Sequence, residues 1–85
     1  MKKKEQKKEV DSEYLDMMVY NFNYSIQNNL EQVYLGYVEI DDDNLKEFWV
    51  EKKNWIITID ILIKNAIDLE EYEYCNELKQ IKDSL

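Results

Sequence analysis

Tyr20-Asn21-Phe22-Asn23-Tyr24-Ser25-Ile26 is the stretch on which the fold turns. Read two by two, its large residues alternate with small polar ones, which is strand periodicity. Read by threes and fours, Phe22 and Ile26 continue a row that begins at Leu15, Met18 and Val19 and runs on through Leu30, Val33 and Tyr37. That row is a helical stripe, and it is the longer of the two patterns. Asp11 or Ser12 stands ready as its N-cap, with Glu13 and Asp16 suited to the positive helix end. The helical reading is therefore preferred. The rival is a β-hairpin turning at Gln27-Asn28-Asn29, with a second strand through Tyr34 to Ile40.

Downstream, Gly36 is read as ending the first element, and Asp41-Asp42-Asp43-Asn44 as a turn that caps the next helix. A calcium loop does not fit this turn. Counted from Asp41, the sixth position is Lys46 rather than Gly and the twelfth is Lys52 rather than Glu. A second helix is expected over residues 44–66. Leu45, Phe48, Trp49, Trp55, Ile56, Ile59, Leu62, Ile63 and Ala66 share one arc of its wheel, and Asp60 pairs with Lys64 outside it. Val50, Ile57 and Ile61 form a second stripe nearly opposite, the mark of a helix that is either sandwiched in the core or meets a partner or a second copy. Asp68 is expected to cap a third helix from Leu69 to Lys82, with Leu69, Tyr72, Cys75, Leu78 and Ile81 inward. The short link after Ala66 forces the last two helices into a tight antiparallel hairpin. The expected fold is thus all-α, a compact three-helix bundle over a single acidic domain, 11–85, with a basic disordered head, 1–10. The runner-up is α+β, with an N-terminal β-hairpin packed on the C-terminal helices.

Composition excludes more than it assigns. The 85 residues contain no His, Pro or Arg, and a single Cys. Without His there is no Ser–His–Asp or Cys–His site. One Cys makes neither a zinc site nor an internal disulfide. Without Arg, bidentate readout of phosphate or base edges is lost. The expectation is a non-enzymatic protein with no catalytic residues, cofactor or metal. The basic start, Met1-Lys2-Lys3-Lys4, is not followed by an apolar run, and the longest apolar stretch, 55–63, carries Asp60. That reads as neither a signal peptide nor a membrane span, and the expected location is the cytoplasm. Abundant Lys, Asn, Ile and Tyr beside scarce Ala and Gly have the codon bias of an AT-rich genome, which fits a bacterial phage or mobile element.

Charge is unevenly placed. Residues 1–10 hold five Lys against two Glu, whereas the net charge of the whole is −8, so the body carries about −11. Such a body repels nucleic acid and anionic lipid and draws basic partners. Phe22, Phe48, Trp49 and Trp55 are expected in the core. Tyr14, Tyr20, Tyr24, Tyr34 and Tyr74 are candidates for partial exposure, where Tyr favours protein interfaces.

The stretch Ala66-Ile67-Asp68-Leu69-Glu70-Glu71-Tyr72-Glu73-Tyr74-Cys75-Asn76-Glu77-Leu78-Lys79-Gln80-Ile81 resembles the UVR motif, a short helical hairpin of bacterial excision-repair subunits and Clp protease adaptors. The likeness spans residues 62–82. It lies in Ala66, the acidic Glu70-Glu71 turn, Tyr72-Glu73, the small Cys75 and the Glu77-Leu78 step. Asn76 and Lys79-Gln80 depart from the small residue and Arg-Asp pair usual there. The resemblance implies protein–protein contact without catalysis.

Two functions follow as expectations. The first is an interaction module, an adaptor or accessory protein, binding through Val50, Ile57, Ile61 and Tyr74. The second is an acidic mimic of nucleic acid that inhibits a basic nucleic-acid-binding host protein, as an anti-defence factor would. Its working residues would be Asp41, Asp42, Asp43, Glu70, Glu71, Glu73 and Glu77. Neither binds nucleic acid or membrane directly, and the first admits a homodimer.

Overall fold

The computed structural model describes residues 10–85, and the expected basic head lies almost wholly outside them. The architecture is α+β, not the all-α bundle. Helix α1, Ser12–Gln27, leads into an antiparallel hairpin of β1, Gln32–Asp41, and β2, Asn44–Glu51. A single 3-10 turn at Lys52–Asn54 then opens α2, Trp55–Asp68, and α3, Tyr72–Ser84, follows.

The decisive stretch is helical. Asp11 caps it, its Oδ1 accepting the Tyr14 N–H at 2.9 Å. Leu15, Met18, Val19 and Phe22 are buried on one face, with Ser25 in line behind them. Tyr20 and Tyr24, which alternate with Phe22 in sequence, lie one helical turn apart on the outside and stack at 6.3 Å. The stripe breaks after Ile26. Asn29 takes a left-handed conformation (φ 57°), which lets the Leu30 N–H reach the Ser25 carbonyl and the Asn29 N–H reach that of Ile26. This double closure is the Schellman ending of a helix. The asparagines that suggested a hairpin turn therefore end a helix, and the hairpin comes later.

Residues 44–51 are the largest correction. Expected as the first two turns of a long helix, they form β2, and residues 52–54 separate them from α2. Val33-Tyr34-Leu35 and Tyr37-Val38 supply a β-prone partner, and Phe48-Trp49-Val50 answers it across the two-residue Asp42-Asp43 link. Gly36 does not end an element. It sits inside β1 at φ 133°, beside one of two register shifts that fit ten residues of β1 against eight of β2.

Helix α1 closes the free edge of β1. Ser25 Oγ, Asn21 Nδ2 and Tyr14 Oη donate to the carbonyls of Gln32, Tyr34 and Leu35 at 2.9, 3.0 and 2.8 Å. The core lies between α1, α2 and α3, where Leu15, Met18, Phe22, Trp55, Ile59 and Leu78 are fully buried. From the hairpin only Val33 is fully enclosed, with Leu35 and Val50 packed at its margin. Phe22 and Trp55 meet edge to face at 5.7 Å, and the Trp55 indole N–H donates to the Val50 carbonyl at 2.9 Å.

The tight α2–α3 connection is present. Glu70 adopts φ 60°, and the Glu71 N–H returns to the Ala66 carbonyl at 2.8 Å, a second Schellman ending. Helix α3 starts at Tyr72 with Glu71 as its cap, so Asp68 belongs to α2, and Leu69 and Tyr72 are exposed rather than inward. Cys75, Leu78 and Ile81 are inward as expected. Asp60 pairs not with Lys64 but with Lys82 of α3, at 2.7 Å. No helix among the described residues is long and apolar enough to cross a membrane.

Candidate protein-binding surface

A two-stranded ribbon is marginal in water unless something packs on it. Here helix α1 supports its base and leaves its outer half open. From Ser25 back to Asp11, α1 covers about 21 Å. A strand covers that rise in about six residues. Counted from Gln32, where Ser25 is bonded, β1 passes the start of α1 near Val38. The remainder of the hairpin overhangs.

The side chains agree. Tyr37, Val38, Ile40, Leu45, Phe48 and Trp49 are all exposed, Ile40 and Leu45 at 63% and 60%. Phe48 and Trp49, expected in the core, are therefore surface residues, because they belong to a strand that the helices do not cover. Lys46 lies over the Phe48 ring at 5.8 Å. At the tip, Asp41 Oδ1 accepts the N–H groups of Asp43 and Asn44, both at 3.1 Å, and the Asn44 side-chain amide at 2.9 Å. These bonds, the Asn44 amide first, hold the Asp41 carboxyl below its ordinary range. Asp41 therefore builds the turn, and the Asp42 and Asp43 carboxylates have no ion-pair partner among the described residues.

Two concave surfaces flank β1. One, about 620 Å³, is lined by Val10, Tyr14, Met17, Leu35, Val38 and Phe48. The other, about 470 Å³, lies between α1 and the opposite side of the ribbon, lined by Tyr20, Tyr24, Leu30, Tyr34, Glu47 and Trp49. Within it Tyr34 and Trp49, paired across the strands, meet at 5.0 Å, and the Trp49 indole nitrogen stands 3.5 Å from Glu47 Oε1. Desolvation raises the Tyr34 hydroxyl above the ordinary phenol range, and the nearby Glu47 carboxylate adds to this. Sequence reasoning missed this second groove. Its residues come from three elements: Tyr20, Tyr24 and Tyr34 are legible in the sequence as interface candidates, but a helix over 44–66 does not bring Glu47 and Trp49 to them.

The expected binding residues separate. Ile57 and Ile61 do lie on the outside of α2, 61% and 58% exposed. Val50 is not with them: it is in β2, half-buried against the core. Tyr74 packs beside the core from α3 and donates its hydroxyl to Asp16 Oδ1 at 3.2 Å. That burial, then Asp16, raises its hydroxyl above the ordinary range.

The acidic residues divide by role. Ser12 Oγ donates to Glu71, and Tyr74 bonds Asp16, so α1 and α3 run in the same direction with their first turns adjacent. The α2–α3 link is thus at the end of the molecule towards which the hairpin tip points. Asp42, Asp43 and Glu70 are exposed at that end, and Glu73 and Glu77 follow on the exposed face of α3. Among the described residues no group of three or more His, Cys, Asp or Glu is placed to hold a metal ion. Comparison with protein-family models, with curated proteins and with solved structures finds no match.

Proposed function

We propose that this protein is a non-enzymatic interaction module that binds another protein through its overhanging hairpin. The exposed apolar set on a two-stranded ribbon, Tyr37, Val38, Ile40, Leu45, Phe48 and Trp49, carries the reading. The set spans both faces of the ribbon, Val38 and Phe48 on one and Trp49 on the other, and large apolar side chains left exposed in this way mark a contact surface. The outer stripe of α2, Ile57 and Ile61, adds a second apolar area. The resemblance of residues 62–82 to the UVR helical hairpin supports a contact role as well. An adaptor or accessory protein in a bacterial cytoplasm, phage-encoded or on a mobile element, suits these features.

One observation favours a second reading. Asp42, Asp43 and Glu70 are exposed at one end of the molecule, with Glu73 and Glu77 continuing from it. An acidic end of that kind would occupy the groove of a basic nucleic-acid-binding protein.

The two readings part on salt and on charge. Tagged full-length protein is mixed with bacterial lysate and washed at low and then at high salt. For the module, a partner stays bound at high salt. It is lost with Ile40→Lys and Leu45→Lys, whose far-UV circular dichroism stays native, and kept with Asp42→Asn and Asp43→Asn. For the mimic, the partner elutes with salt and the two Asn substitutions release it. Asp41 is left intact in this test because it holds the turn. Sedimentation velocity of the purified protein identifies the case in which the partner is a second copy.

A further inference from the structure

We propose that the groove between α1 and the hairpin is an arginine-binding site, which takes a guanidinium side chain from a protein partner between the rings of Tyr20, Tyr24, Tyr34 and Trp49, with Glu47 as its counter-charge. The proposal rests on the reading of the protein as an interaction module and adds the chemistry of what it recognises.

Four aromatic rings and one carboxylate converge on a single concavity of about 470 Å³. The rings are in two supported pairs. Tyr20 and Tyr24 are nearly parallel, 22° apart on successive turns of α1, and Tyr34 leans on Trp49 across the strands at 61°. Ring faces carry negative charge and attract a cation within about 6 Å. Glu47 lines the same concavity as an exposed residue, beside the Trp49 indole and close enough to the Tyr34 hydroxyl to shift it. A carboxylate and four aromatic rings lining one concavity are complementary to a cation, and the strongly acidic body steers one towards it.

Arginine fits better than lysine. Its planar guanidinium stacks on rings, presents paired donors to a carboxylate and is weakly hydrated. Open, ring-lined walls reward a flat cation more than a compact, hydrated ammonium. The chain has no Arg of its own, so such a ligand comes from another molecule. Two of the protein's lysines already lie over other rings, Lys46 over Phe48 and Lys52 over Trp55, each at 5.8 Å.

The test is a nuclear magnetic resonance titration of the ¹⁵N-labelled full chain with two capped peptides, acetyl-Gly-Arg-Arg-Gly-amide and its Lys counterpart. The two indole N–H signals serve as reporter and control. Trp49 is half-exposed in the groove, while Trp55 is fully buried. The expected result is a saturable shift of the Trp49 signal with the Arg peptide, a still Trp55 signal, and binding several-fold weaker with the Lys peptide. Replacing both Tyr20 and Tyr24 by Ala weakens binding roughly tenfold, and Glu47→Gln does so several-fold. Far-UV circular dichroism accompanies each variant. The Lys peptide on the native protein needs no variant at all.

Equal binding of both peptides, weakened as much by Asp42→Asn and Asp43→Asn as by Glu47→Gln, would reduce the effect to general attraction and overturn the site. So would the absence of a saturable Trp49 shift. An Arg peptide that binds only after Lys2, Lys3, Lys4, Lys7 and Lys8 are replaced by Gln assigns the groove to the chain's own head, and also overturns it. Failure here with the salt-resistant partner still captured removes the groove and leaves the module. Saturable Arg binding without any captured partner removes the module as proposed and leaves the groove.

Discussion

Trp55 joins the sheet to the helices, so Trp55→Phe should cost more than its loss of ring area. The side chain is fully buried, opens α2, meets Phe22 edge to face and donates its indole N–H to the Val50 carbonyl at 2.9 Å. Phenylalanine keeps an aromatic contact with Phe22 but has no donor. Leaving the Val50 carbonyl without its partner in a half-buried place costs about 1–2 kcal/mol. The smaller ring gives up roughly 1 kcal/mol of apolar burial. The sum is about 2–3 kcal/mol, against a total of about 4–13 kcal/mol for a domain of this size. At about 4–8 °C per kcal/mol, the melting temperature should fall by roughly 10–20 °C.

Urea unfolding followed by far-UV circular dichroism gives the free energy. Trp49, the one indole left, reports on the hairpin at the same time. The two probes should coincide, because hairpin and helices share this joint. Trp55→Leu should cost more again, since it also ends the contact with Phe22. A double-mutant cycle with Phe22→Leu should return a coupling of about 0.5–1.5 kcal/mol. A loss below about 0.5 kcal/mol for Trp55→Phe would refute the reasoning. So would a changed slope with an unchanged midpoint, which would place the effect in the unfolded chain.

Two further outcomes are expected. A Cβ at Gly36 would meet nothing within 4 Å, so the cost of Gly36→Ala is all backbone; at φ 133° it should be about 1–3 kcal/mol, read from the urea midpoint, and a neutral result would mean that the strand shift relaxes. The Tyr14 hydroxyl, raised above the ordinary phenol range by burial, is held neutral by folding. Its contribution is complete below the unfolded value near pH 10 and is lost as pH rises through the folded one. Tyr14→Phe, which lacks the bond to Leu35, should therefore be less stable than the native protein at pH 8, and the gap should narrow by pH 11; a widening gap would contradict the assignment.

The sequence was most legible where one helix face meets one core. Leu15, Met18, Val19 and Phe22 are spaced as the structure buries them, as are Ile59, Leu62 and Ala66, and then Cys75, Leu78 and Ile81. The tight turn after α2 followed from link length alone. The failure is concentrated between Gly36 and Asn54. Leu45, Phe48 and Trp49 fall at helical spacings that continue those of α2, and an arc drawn from Leu45 to Ala66 is interrupted only by Lys52. Lys52, whose stem can lie along apolar surface, is a weak mark of the 3-10 turn at Lys52–Asn54, where no Gly or Pro interrupts the chain. Periodicity also assumes that one face of an element is buried. In β2 neither face is, apart from Val50 at the margin, so the pattern that identifies an amphipathic strand never forms.

The same fact bears on function. An amphipathic pattern records what a chain does with itself, and a segment that breaks the pattern while keeping large apolar residues has another use for them. Strand residues that serve the fold, Val33 and Val50, face the core. Those beyond them, Tyr37, Val38, Ile40, Leu45, Phe48 and Trp49, contribute nothing comparable to it and leave apolar surface in water. The α1 donors follow the same division. Ser25, Asn21 and Tyr14 fix β1 from Gln32 to Leu35 and stop there. Stability accounts for the base of the hairpin, and binding is the economical account of its outer half. It follows that substitutions at Ile40 or Leu45 should change stability by no more than about 0.5 kcal/mol, as for other surface positions. If they instead destabilised the isolated protein by several kcal/mol, the outer hairpin would be part of the fold, and its claim to be a contact surface would fall.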